Sequence, residues 1–126
     1  VTPKPFISIV DDDCAVRKSL AMLIGAYNFD VVDFPSADAF LQSERLGTTD
    51  CLITDLHMPD MDGLALQDHL VRLGYRIPTI FISGLPDRRS RTKAFQAGAI
   101  AFLSKPFDYE DLLVCIQSAL SKTAAS

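Results

Sequence analysis

Hydrophobic residues along this chain fall into short, nearly continuous runs, and these alternate with stretches where they recur every three or four positions. Phe6 to Val10, Phe29 to Phe34, Cys51 to Thr54, Ile77 to Ile82 and Ile100 to Leu103 are runs of the first kind. Their length and β-branched content predict buried strands, with Pro78 tolerated near the beginning of the fourth. Val16, Leu20, Leu23 and Tyr27 repeat at helical spacing and predict a helix over 14–26. Ser36 begins a short helix through Phe40 and Leu41 that ends near Gly47. The turn-rich stretch His57 to Gly63 precedes a helix carrying Leu64, Leu66, Leu70 and Leu73, which Gly74 can close. A helix over 87–97 stops at Gly98, and Leu112, Ile116 and Leu120 line a last one. Five such β-α units predict an α/β fold in which a parallel sheet is covered by helices on both faces.

The 126 residues are enough for one domain with a sizeable core, and 48% hydrophobic against 22% charged is a globular balance. Twelve basic residues against sixteen acidic ones leave a net charge of −4, which argues against direct nucleic-acid binding by this segment. No apolar run approaches the roughly 18 residues of a membrane span, and no signal-peptide pattern opens the chain. Cys14, Cys51 and Cys115 have no metal-ligand spacing and sit in apolar stretches, so all three read as small core residues. An odd cysteine count fits a reducing, cytoplasmic compartment.

Parallel sheets of this kind place working residues beyond the carboxyl ends of their strands. The first strand runs into Asp11, Asp12 and Asp13, the third into Asp55, the fourth into Ser83 and the fifth into Lys105. Each has a plainer explanation taken singly. Asp13 reads as a helix N-cap, Ser83-Gly84 as turn chemistry, and Lys105 as a surface lysine beside Pro106. Four coincidences at one sheet edge outweigh those explanations. Carboxylates gathered there repel one another, which raises their pKa values unless a cation sits among them. A hard divalent cation such as Mg²⁺ suits an all-oxygen site. Two acids from the first strand together with Asp55 would then be neutralised by Mg²⁺ and Lys105, and such a cluster suits a phosphoryl group.

Four stretches carry a resemblance to a known family: Ile9 to Asp13, Thr54 to Gly63, Ile82 to Gly84 and Phe102 to Phe107. In this order they resemble a CheY-like receiver domain of bacterial two-component response regulators, over essentially residues 5 to 121. The resemblance implies a single (βα)5 flavodoxin-like domain over 1–121, with strand order 2-1-3-4-5, and the start of a linker or tail over 122–126. It implies that Asp55 takes a phosphoryl group from a phosphohistidine of a sensor histidine kinase. Asp12, Asp55 and the backbone carbonyl of His57 would hold Mg²⁺, with Asp11 acting through a bound water. Lys105 and the Ser83 hydroxyl would meet phosphoryl oxygens. Phe102 stands where the family places a switch aromatic that swings inward as the hydroxyl at 83 moves; a permanently buried ring is the plainer alternative. Lys105-Pro106 matches a position commonly cis in receivers. Ser83 replaces the commoner threonine. His57 and Leu85 are expected to flank the phosphoryl group and tune water access, Leu85 slowing it, although His57 also reads as an exposed turn residue. His69 reads as partly exposed helix surface.

Arg88 to Lys93 is a basic run in the first turns of a helix, where cations oppose the macrodipole. That hints at partner contact, and it leads to the expectation of a phosphorylation-favoured homodimer through the fourth helix, fifth strand and fifth helix, with Asp108, Glu110 and Asp111 opposite. A haloacid-dehalogenase-type hydrolase is a rival reading, because Asp11 and Asp13 have Asp-x-Asp spacing. Ala15 and the missing room for a cap domain count against it. A docking-only degenerate receiver is a second rival, opposed by the complete Asp11, Asp12, Asp55, Ser83 and Lys105 set. A receiver turns over no metabolite and is expected to be no enzyme in that sense. The absence of an initiator Met and the small residues after Ser121 suggest a piece of a longer regulator. Val16 to Leu20 and Lys105 to Phe107 resemble FixJ-like transcription factors, which carry a C-terminal DNA-binding output domain.

Overall fold

The computed structural model describes residues 4–84 and 88–125, with side chains through Ser121. Strands β1 (Phe6–Val10), β2 (Asp30–Phe34), β3 (Cys51–Asp55), β4 (Thr79–Ser83) and β5 (Ala101–Ser104) alternate with helices α1 (Cys14–Gly25), α2 (Ala37–Leu41), α3 (Gly63–Arg72), α4 (Arg88–Gln96) and α5 (Tyr109–Ala125). The strands form one parallel sheet in the order β2-β1-β3-β4-β5, the flavodoxin-like topology expected from the motifs. Among the described residues, no helix is long and apolar enough to cross a membrane.

Side chains alternate across the sheet. Ile7, Ile9, Ile53, Ile80 and Ile82 face one side, where Leu20 and Ile24 of α1 and Leu112, Ile116 and Ala119 of α5 cover them. Val10 and Leu52 face the other side, packed with Phe40 of α2 and with Leu66 and Leu70 of α3. Phe81 and Phe102 extend that second side beneath Ala94 of α4.

Local chemistry sets the helix ends. Asp13 caps α1 by accepting from the Ala15 and Val16 N–H groups, as expected. Asp62 caps α3 through Ala65 N–H. Gly74, at φ +88°, closes α3 with its N–H on the Val71 carbonyl, a left-handed turn that suits glycine.

Several boundaries differ from expectation. Helix α2 stops at Leu41 rather than running toward Gly47, because the Ser43 hydroxyl accepts from Arg45 N–H and competes with the backbone ladder. A separate 3-10 turn spans Leu46–Thr48. Tyr27 lies beyond the end of α1 and is 55% exposed, off the buried stripe, since the chain turns at Asn28 with φ 70°. Of the three cysteines, Cys51 is buried, Cys115 is half-buried and Cys14 is exposed at the first position of α1, so the core reading fails for Cys14. Burial pushes the Cys51 thiol up to about 12, with Cys115 and Asp50 adding to it. The backbone of α5 stays helical to Ala125, into the stretch expected to begin a linker, in keeping with the helix propensity of alanine.

Candidate functional site

Register brings the chemically active residues together. Val10 pairs with Thr54, Asp55 with Ile82, and Ser83 with Ser104, so the strands end side by side and their next residues share one edge. Asp11, Asp55 and Ser83 are buried there, and Asp12 is exposed at the rim. The Lys105 N–H donates to the Ser83 carbonyl at 2.8 Å, and this holds the start of the β5–α5 loop against β4. The Lys105-Pro106 peptide is cis.

The Lys105 ammonium lies 3.3 Å from Oδ2 of Asp55 and 3.5 Å from Oδ2 of Asp11. The other Asp55 oxygen, Oδ1, accepts from His57 N–H at 3.1 Å. His57 itself is exposed, the turn position expected of it. Each of Asp11, Asp12 and Asp55 offers a carboxylate oxygen within 4.8 Å of the others. Asp11 Oδ1 accepts from Asp13 N–H at 2.8 Å. Asp11 Oδ2 is the one buried side-chain polar atom among the described residues without a hydrogen-bond partner.

Burial is the largest influence on Asp11 and pushes its pKa up; Asp13 N–H and Lys105 work against this, and the Asp55 charge adds to it. The sequence pointed to carboxylate repulsion as the cause, and desolvation comes ahead of it. For Lys105 burial acts downward, but Asp11 and Asp55 together outweigh it, so the pKa rises and the group stays cationic.

This donor set fits Mg²⁺: three carboxylates, all hard oxygen donors, one of them with a buried oxygen that makes no hydrogen bond and has only the Lys105 ammonium, 3.5 Å away, to offset its charge. It is equally a set that can surround a phosphoryl group, with one fixed ammonium and a backbone N–H already on Asp55.

Phe102 is 8% exposed and packs with Leu56, Phe81 and Ala94, so its ring already lies inside rather than waiting to swing inward. Ala94 is the one buried residue of α4 and is small enough to leave the ring this space. Leu85, expected beside the phosphoryl group, lies outside the described residues. His69 is exposed.

Two supporting residues had no role in the sequence reading. A Cβ on Gly63 would meet the Asp55 carbonyl oxygen at 2.6 Å and Leu56 Cα at 3.1 Å, so only glycine lets α3 start this close to β3. Arg17 joins Asp33 and the Asp11 carbonyl, each at 2.8 Å. A carboxylate inside the apolar run of β2 was the available signal, since such a group needs a partner.

The family model for the response regulator receiver domain matches residues 7–117. The chain is 48% identical over 114 residues to the response regulator protein TmoT of Ectopseudomonas mendocina, covering 90% of this chain and 52% of that protein. It is 38% identical over 120 residues to the transcriptional regulatory protein FixJ of Rhizobium meliloti (strain 1021), covering 95% of this chain and 59% of that one. The crystal structure of FixJ-N superposes with a TM-score of 0.85 at 37% identity, covering 95% of this chain and 96% of that one. The chain thus spans about half the length of the curated relatives it matches.

Proposed function

This chain belongs to the response regulator receiver domain family, as a receiver of the FixJ-like kind, and we propose that Asp55 is its phosphoacceptor. The observation that carries this reading is the Asp55 carboxylate held between the His57 N–H and the Lys105 ammonium, with Asp11 and Asp12 beside it. A carboxylate oxygen of Asp55 attacks phosphorus, a P–O bond forms, and the P–N bond to the donor histidine breaks with its electron pair leaving on the imidazole. Lys105 takes a phosphoryl oxygen, and the Ser83 hydroxyl donates to another. Asp12, Asp55 and the His57 carbonyl would hold Mg²⁺, with Asp11 reaching it through water. When bound, that ion supplies charge neutralisation for the transferring group. His57 and Leu85 are assigned to controlling water access to the aspartyl phosphate.

Asp13 is committed to capping α1, which leaves the hydrolase reading without the second acid of its Asp-x-Asp pair.

The partners follow from the same reading. A sensor histidine kinase donates the phosphoryl group, and a C-terminal DNA-binding output domain answers to it, as the names of the relatives suggest for transcription. Phe102, seated under Ala94, is assigned as the switch aromatic that passes the movement of Ser83 toward the phosphoryl group on to α4. The α4-β5-α5 face supports a homodimer. Arg88, Arg89, Arg91 and Lys93 are exposed on α4, Asp108, Glu110 and Asp111 at the start of α5, and Phe95 and Val114 are exposed apolar residues on the same two helices.

Intact mass after incubation with Mg²⁺ and acetyl phosphate tests the acceptor. One phosphoryl mass gained by this chain and none by Asp55→Asn is the expected result. Modification surviving in Asp55→Asn would move the acceptor elsewhere.

A further inference from the structure

We propose that Arg17 is a positioning residue for the metal site, acting through the Asp11 backbone. The role presupposes that Asp11, Asp12 and Asp55 hold Mg²⁺. Arg17 is nearly buried, with 12% of its side chain exposed, and its guanidinium is used in two directions. Nε donates to Asp33 Oδ2 at 2.8 Å, and Nη1 donates to the Asp11 carbonyl at 2.8 Å. Asp33 sits on β2 in register with Ile9, two residues before Asp11 on the neighbouring strand. The guanidinium therefore ties α1, the end of β2 and the exit of β1 at one point.

Its consequence is clearest from the polar atoms of Asp11. The N–H donates to the Phe34 carbonyl at 3.2 Å, Oδ1 accepts from Asp13 N–H, and the carbonyl accepts from Arg17. Three of the four are fixed, and Oδ2 is the one left to face the cluster. Fixing that carbonyl fixes the peptide plane between Asp11 and Asp12, and with it the direction in which both side chains leave the backbone. Asp33 counters the Arg17 charge, so the guanidinium can stand this close without repelling a cation. Lys18 also reaches Asp33, at 3.3 Å, but is 65% exposed and does not touch Asp11. Lysine at position 17 could serve only one of the two partners, because its single ammonium lacks the planar fork.

Calorimetric titration of the metal-free chain with Mg²⁺ tests this, at a temperature where melting curves show every variant folded. Arg17→Met and Arg17→Lys are expected to bind about tenfold more weakly, the usual scale for groups that orient a ligand from behind. Lys18→Met should match the parent. Amide exchange at Asp13, whose N–H donates to Asp11 Oδ1, should quicken in both Arg17 variants of the metal-free protein, a change that needs no ion. Unchanged Mg²⁺ affinity in a folded Arg17 variant, with binding lost in Asp12→Asn, would overturn the role while leaving the metal site standing. No Mg²⁺ binding by the parent chain would overturn the metal reading and this role with it. Should Arg17→Met not fold, Arg17→Lys, which keeps the charge, decides the question alone.

Discussion

The two sides of the sheet are built on different physics. The α1–α5 side is aliphatic: isoleucines from β1, β3 and β4 pack on Leu20, Ile24, Leu112, Ile116 and Ala119, all essentially inaccessible. The α2–α4 side carries polar side chains within its core. Ser8 bonds to Thr49 at 2.7 Å, Thr54 donates to the Asp55 carbonyl, and Thr79 donates to Gln67 at 2.8 Å. Gln67 in turn donates to the Ala97 carbonyl at the end of α4. Apolar contact has no direction, whereas hydrogen bonds hold one geometry and resist others. Directed bonds give way once their geometry is lost, so the side with the larger apolar burial is the firm base, whereas α4 on the other side buries a single small residue, Ala94. If Asp55 takes a phosphoryl group as proposed, this is the side whose helix can shift with the least loss of buried contact.

The contrast can be broken most directly in the firm side. Ile116→Ala should lower stability by about 4 kcal/mol in denaturant unfolding, whereas Ala94→Gly on α4 should cost about 1 kcal/mol. Equal losses would erase the distinction. Gly63→Ala comes next. It should cost roughly 1–3 kcal/mol through overpacking, and it should also slow phosphorylation by acetyl phosphate, since the strain falls on the Asp55 carbonyl. Gln67→Leu removes the donor to the Ala97 carbonyl, while the Thr79 hydroxyl keeps the Ile77 carbonyl, and should cost about 1 kcal/mol. Amide exchange should then quicken at the end of α4 and stay slow in α1 and α5. The smallest effect concerns Asp33. Burial acts upward on its pKa, but Arg17 and Lys18 outweigh that and hold it below the usual carboxylate value. A lowered folded-state pKa contributes stability that is present above the unfolded value and lost as pH falls through the folded one. Asp33→Asn should therefore flatten the acid limb of the stability profile by about 1 kcal/mol or less.

The strands and the residues at their ends were legible in the sequence because each depends on a short local pattern, an apolar run and then a chemically distinct residue; the strand order came only through the family resemblance. The helix ends were less legible. Ser43 diverts the backbone after α2 through a bond that hydrophobic spacing does not register, and Cys14 looks apolar by its neighbours yet sits at the exposed start of α1. The cause of the Asp11 shift was misjudged, since charge can be counted along a chain but burial cannot. Gly63 stood inside a recognised motif, but its reason is an approach of α3 to β3 that only coordinates reveal. Arg17 meets Asp33, sixteen positions further along the chain, only because the β1–β2 register sets that residue beside the exit of β1.

The slender seat of α4 bears on how such a domain diversifies. Nearly all of this helix faces outward, and surface substitutions of that kind usually change stability by less than about 0.5 kcal/mol. Lineages descending from one ancestral gene can therefore rewrite the outer face of α4 step by step, each intermediate still folded.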